Sequence, residues 1–219
     1  MTQEIREVLD FWFSEQAKAH WFQASPAFDQ TIRKRFGELF ARAATGEFES
    51  WESSPEGSLA LCILLDQMPR NMFRGEASAY LADDRALPVA ERAIRAGFDQ
   101  RLPADHKQFL YLPFMHSEVL ANQMRALALC EAAKLREPAR HAAGHLQIIR
   151  RFGRFPHRNA ILGRPSTPEE LDFLEESGQS FGQEALAEAA QADSAQPDPA
   201  ASDRPLRLKS LIKDPQPEP

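Results

Sequence analysis

The chain has 219 residues, 43% apolar and 26% charged, with 20 aromatics and a net charge of −6. That is enough apolar material for one sizeable core, and the acidic balance argues against general nucleic-acid binding. Two cysteines in apolar surroundings, Cys62 and Cys130, exclude a disulfide scaffold and a four-cysteine zinc module. No apolar run approaches the roughly 18 residues that span a bilayer, and the first ten residues lack a signal-peptide pattern. A reduced, cytoplasmic, globular protein is expected.

The elements read helical from the start. Ile5, Val8, Leu9, Trp12 and Phe13 recur at helical spacing, with Thr2 as N-cap. Ser25-Pro26, a cap followed by proline, opens a second helix carrying Phe28, Ile32, Phe36, Leu39 and Phe40, which stops near Gly46. Ser54-Pro55 opens a third. A fourth, with Leu87, Ala90 and Ile94, ends at Gly97. The pattern then predicts one helix from about Pro113 to Ala133 and another from Pro138 to about Phe152. Thr167-Pro168-Glu169-Glu170 reads as a capping box that starts a last helix. No segment alternates with period two between hairpin turns. The expected fold class is all-α: antiparallel helical hairpins stacked side by side, without a strict 34-residue repeat.

Ten of the 20 aromatics lie in the first 51 residues and none follows Phe181. At helical spacing the stripe Trp12, Phe13, Trp21, Phe22, Phe28, Phe36 and Phe40 reads as core rather than as a platform for bases. Residues 1–181 are therefore expected to form one helical domain. Residues 182–219, with six prolines and a net charge of −3, read as a mostly disordered tail. Its Leu206, Leu208, Leu211 and Ile212 are the part of that tail able to dock.

Three polar islands carry what chemistry there is. Residues 140–164 hold six arginines and three histidines with no acid, a charge of +6 in a chain of −6. Either acids elsewhere in the fold answer it, or a bound anion does; the planar guanidinium suits carboxylate and phosphate. Pro156 forces a break there, so Gly153–Asn159 is expected to be a shaped turn, the usual home of binding groups. The second island is LLDQMPRNMFRG, residues 64–75. Asp66, Arg70 and Arg74 align at i, i+4, i+8, while Pro69 should interrupt the helix. The third is His116-Ser117-Glu118, placed on an apolar helix where adjacent residues point about 100° apart, so the three cannot form a triad among themselves. A buried Glu118 would need a cation.

His141 and His145 share a helix face, but Ala142 stands where the zinc-protease glutamate belongs, so no metal is assigned. No nucleophile elbow, phosphate loop or dinucleotide fingerprint is present, and no cofactor is expected.

Taken together, LALCILLDQMPRNMFRG, YLPFMHSE and IIRRFGRFPHRNAILGRPSTPEE resemble the signatures of the bacterial domain-of-unknown-function family numbered 924. The early FWF and WF pairs and AxxAIRAGFD fit the same family, over about residues 4–175. The resemblance implies a tetratricopeptide-like helical fold. The family-type polar positions it carries onto this chain are Asp66, Gln67, Arg70, Asn71, Arg74, His116, Ser117 and Glu118. Farther along they are His145, Arg151, Arg154, His157, Arg158, Asn159 and Arg164.

The expectation is that the three islands converge on a pocket for a small anion. Arg70, Arg74, Arg151, Arg154 and Arg158 would grip it, with Asn159 alongside and Asp66 and Glu118 orienting the guanidinium groups. His157 and His116, expected to titrate near neutral pH, are the acid/base candidates. The competing reading is an open groove in which the same arginines capture the C-terminal carboxylate of a peptide. Neither nucleic acid nor a membrane is an expected partner.

Overall fold

The computed structural model describes residues 1–177, apart from Phe22. Among these there is no strand: the fold is all-helical. None of the described helices is long and apolar enough to cross a membrane. The expected tail, residues 182–219, lies outside the described residues.

The caps read from the sequence are where the helices start. In α1, Gln3–Trp12, the Thr2 hydroxyl accepts from the Ile5 amide, and Ile5, Val8 and Trp12 are buried. A short α2, Glu15–Lys18, follows under a Ser14 cap. Ser25 caps α3, Pro26–Ala44, whose first-turn proline gives up an amide that no helix end needs. It buries Phe28, Ile32, Phe36 and Phe40. Ser54 caps α4, Pro55–Cys62, in which every residue but Glu56 is buried. Gly57 is required there, since a Cβ would collide with the Trp51 backbone carbonyl.

Pro69 does not interrupt the chain as expected. A π-helical turn over Ile63–Gln67 follows α4 and leads directly into α5, Met68–Met72. The wider turn absorbs the amide that Pro69 lacks, so the helical path continues through a buried polar segment. After a 3₁₀ turn at Ala77–Tyr80 comes α6, Asp83–Arg95, ended by Gly97 in the left-handed region at φ +69°.

The single helix expected from Pro113 to Ala133 is two helices. The first, α7, spans Ala104–Met115, and Pro113 lies in its last turns; α8 spans Leu120–Ala132. Between them the chain turns, and the Ser117 hydroxyl accepts from the Val119 amide at 3.2 Å and the Asn122 side chain at 2.9 Å. α7 left no amphipathic signal because its second half, Phe109 to Met115, is buried on all sides. Beyond it, α9 spans Arg136–Phe152, and α10 spans Pro168–Ser177 behind the expected capping box. In that box Thr167 and Glu170 exchange side-chain-to-amide bonds at 2.8 and 3.2 Å.

The early aromatic stripe, Phe22 aside, packs inward. Trp12 is fully buried and meets Phe109 edge-on at 5.7 Å, while Trp21 and Phe13 close the same cluster. A fully buried ring such as Phe109 contributes about 1.5–3 kcal/mol by leaving water. Around this core α4 packs on α6 and α7, and α8 and α9 form a hairpin against α7. The C-terminal ends of α7 and of the α4–π turn path therefore lie side by side.

Candidate functional site

The three islands meet at that point. Asp66, in the π turn, is 1% exposed, and its two carboxylate oxygens lie 2.7 and 2.9 Å from Nδ1 of His116 at the end of α7. Arg70, one turn on, makes a 3.2 Å ion pair with Asp66 and a two-pronged pair, 2.9 Å on each arm, with Asp83 at the start of α6. The third island arrives through the turn Pro156–Arg158, where the Arg158 guanidinium donates to the His116 carbonyl at 3.0 Å. Arg158 lies against the rings of Phe155 and Tyr80, 4.4 and 4.8 Å from their centres, and Arg70 shares Tyr80 at 5.5 Å. His145, on α9, donates from Nδ1 to the Met115 carbonyl and lies 6.4 Å from the His116 ring. His157 flanks Phe155 at 5.4 Å between ring centres.

The charges in this cluster are unevenly satisfied. Burial alone would raise the Asp66 carboxyl, but the Arg70 charge and the hydrogen bond from His116 outweigh it and hold it ionised, well below the usual carboxylate range. Burial also works against the Arg70 cation, and Asp66 with Asp83 more than restores it. Arg158 has the opposite balance. Burial first, then the neighbouring Arg70 charge, push its pKa down from the ordinary value. Its nearest acid is Asp83, at 4.0 Å and already held by Arg70, and its buried Nε has no hydrogen-bond partner.

The histidines are not poised near neutrality as expected. Burial is the leading cause in each: it lowers His116, and it takes His145 and His157 down to about 3. At pH 7 all three are neutral. On His116 the Asp66 carboxylate accepts from Nδ1–H, which leaves Nε2 with the lone pair. An imidazole so oriented is equipped to accept a proton rather than donate one.

The remaining arginines of the expected grip are engaged elsewhere. Arg74 pairs with Asp29 on α3 through two bonds at 2.7 and 3.0 Å. Arg151 pairs with Glu169 at 2.8 Å, and Arg154 grips both oxygens of Glu170 at 2.6 and 2.7 Å. Glu118 is not on a helix but in the turn between α7 and α8. There it accepts from Arg164 at 2.6 and 3.0 Å and from the Phe155 amide at 2.8 Å. It thus fixes the turn that carries Arg158. Asn159, fully buried, ties that turn to Ser166, Glu170 and Arg164.

Two participants, Asp83 and Tyr80, were absent from the sequence reading. Asp83 looks like any acid in a helix first turn, and only the fold shows which cations it meets. Among the described residues no group of three or more His, Cys, Asp or Glu is placed to hold a metal ion. Two surface hollows, of about 580 and 190 Å³, lie elsewhere and are lined by none of Arg158, His116 or Asp66.

Comparison with known proteins agrees on the family. A solved structure from Agrobacterium tumefaciens, described as protein of unknown function ATU0120, is 44% identical and superposes with a TM-score of 0.75. The likeness covers 78% of this chain and 97% of that one. No curated protein matches the chain. The family model described as "Bacterial protein of unknown function (DUF924)" matches residues 8–178, so the chain belongs to that family.

Proposed function

We propose that the cluster around Arg158 binds a small anion, a carboxylate or a phosphate, and that His116 accepts a proton from it or from a water beside it. The observation that carries this reading is Arg158 itself. It is a cation 7% exposed, with a donor left over and its nearest acid already held by a second arginine. A buried charge in that position is costly unless an anion answers it. The guanidinium fork suits a carboxylate or phosphate group, and two cations side by side would steady developing negative charge.

His116 is the better of the two histidine candidates because Asp66 fixes its tautomer and its orientation, as in carboxylate–imidazole pairs that act as bases. His157, beside Arg158, is left to contact the ligand.

Titration calorimetry with inorganic phosphate and with acetate tests the reading. Saturable binding of either is expected for the parent chain and for Arg74→Met, whose arginine is held by Asp29, and is expected to disappear in Arg158→Met. Binding that survives in Arg158→Met, or that neither anion shows, contradicts it.

A further inference from the structure

The larger hollow lies at the other end of the same two helices. Its wall includes Glu56 at the start of α4 and His106 at the start of α7, each ten residues before a member of the Asp66–His116 pair. Ten helical residues span about 15 Å, so hollow and cluster are separate sites at opposite ends of a shared scaffold. At 580 Å³ the hollow falls within the range of about 300–1,000 Å³ typical of small-molecule sites.

Its lining carries four charged side chains from three parts of the chain. Arg6 and Asp10 come from α1, Glu56 from α4, and Arg101 from the turn before α7. Elsewhere most arginines of the described chain have an acid in reach, yet among the described residues none of these four makes an ion pair within 4 Å. Two cations and two anions thus face one space without closing on each other. Between them lies an apolar floor that includes buried Leu59 and the Phe13 ring, stacked flat on His106 with centres 3.6 Å apart. The N-terminal end of α7 also opens here, just after Arg101, adding partial positive charge to the arginine side.

We infer that this hollow binds a small zwitterion with an apolar body, of the class of a free amino acid with a large apolar side chain. The carboxylate meets Arg6 and Arg101, the ammonium meets Asp10 and Glu56, and the apolar side chain covers Leu59 and Phe13. This does not depend on the anion site at Arg158.

Titration calorimetry with L-phenylalanine, 3-phenylpropionate and phenethylamine separates the contributions, since the last two each lack one charge. L-phenylalanine is expected to bind one per chain, at least about tenfold more tightly than either analogue. The double variants Arg6→Gln/Arg101→Gln and Asp10→Asn/Glu56→Gln should each weaken it about tenfold or more. Their melting temperatures should fall by no more than about 3 °C, because all four side chains belong to exposed residues without ion-pair partners and only Glu56 also serves a helix first turn. The inference is overturned if L-phenylalanine does not saturate below about 10 mM, if an analogue binds as well, or if both double variants keep the parent affinity.

Discussion

Beside the exposed Arg140 and Arg150, residues 140–164 hold two contrasting kinds of arginine. Arg151, Arg154 and Arg164 each reach an acid, at Glu169, Glu170 and Glu118, and together they pin α10 and the 153–164 turn to the body of the protein. Arg158, in the same turn, goes the other way: it is carried inward between two aromatic rings and left beside another cation. The difference teaches that an excess of positive charge in sequence is not itself a ligand site. Most of it is scaffold, and what distinguishes Arg158 is burial without a carboxylate of its own.

Acid is expected to break the inner region most strongly. His145 and His157 have folded pKa values lowered from 6.5 to about 3, so between those limits the unfolded chain binds more protons than the folded one. Stability is therefore fully present above about pH 6.5 and is lost as pH falls toward 3, by up to about 1.4 kcal/mol per pH unit for each histidine. Urea unfolding across that range checks it; a flat profile would place these imidazoles in water.

Asp66→Asn comes next. It leaves Arg70 and His116 without the carboxylate that both use, and loss of one partner in a buried pair costs about 3–5 kcal/mol. Glu118→Gln should cost less, about 1–3 kcal/mol, by loosening the Arg164 fork and the Phe155 amide. Arg151→Ala tests the outer region at its weakest point: both partners are about half exposed, so a change of about 0–0.5 kcal/mol is expected. A larger loss there than at Glu118 would reverse the ranking of scaffold and rim.

What was legible in the sequence is what is decided locally. Ser25-Pro26, Ser54-Pro55 and the Thr167–Glu170 box each place a helix start through contacts three residues long. The break at His116–Val119 was not legible, because apolar residues flank it and what organises it, the Ser117 hydroxyl, the Gln123 side chain and the long-range bonds of Glu118, leaves no local pattern. Pro69 misled because its missing amide is absorbed by a widened turn rather than by a stop. For the site, three polar stretches beside apolar runs gave Asp66, Arg70, His116 and Arg158 as neighbours. The pairing that sorts the arginines was hidden. Asp29, Asp83, Glu169 and Glu170 all stand in the first turn of a helix, where acids are expected for the helix's own sake. Only the fold shows which cation each one also meets.

The central claim is that Arg158 is kept buried for a ligand rather than for the fold. Urea unfolding of the parent chain and of Arg158→Met, each with and without inorganic phosphate, tests it most directly. The account predicts that in phosphate-free buffer the variant lies within about 1 kcal/mol of the parent, since methionine can fill the space between Tyr80 and Phe155 without a charge. Phosphate should then stabilise the parent alone. A loss beyond about 3 kcal/mol in the variant, with phosphate acting on neither chain, would make Arg158 a structural cation and contradict the claim.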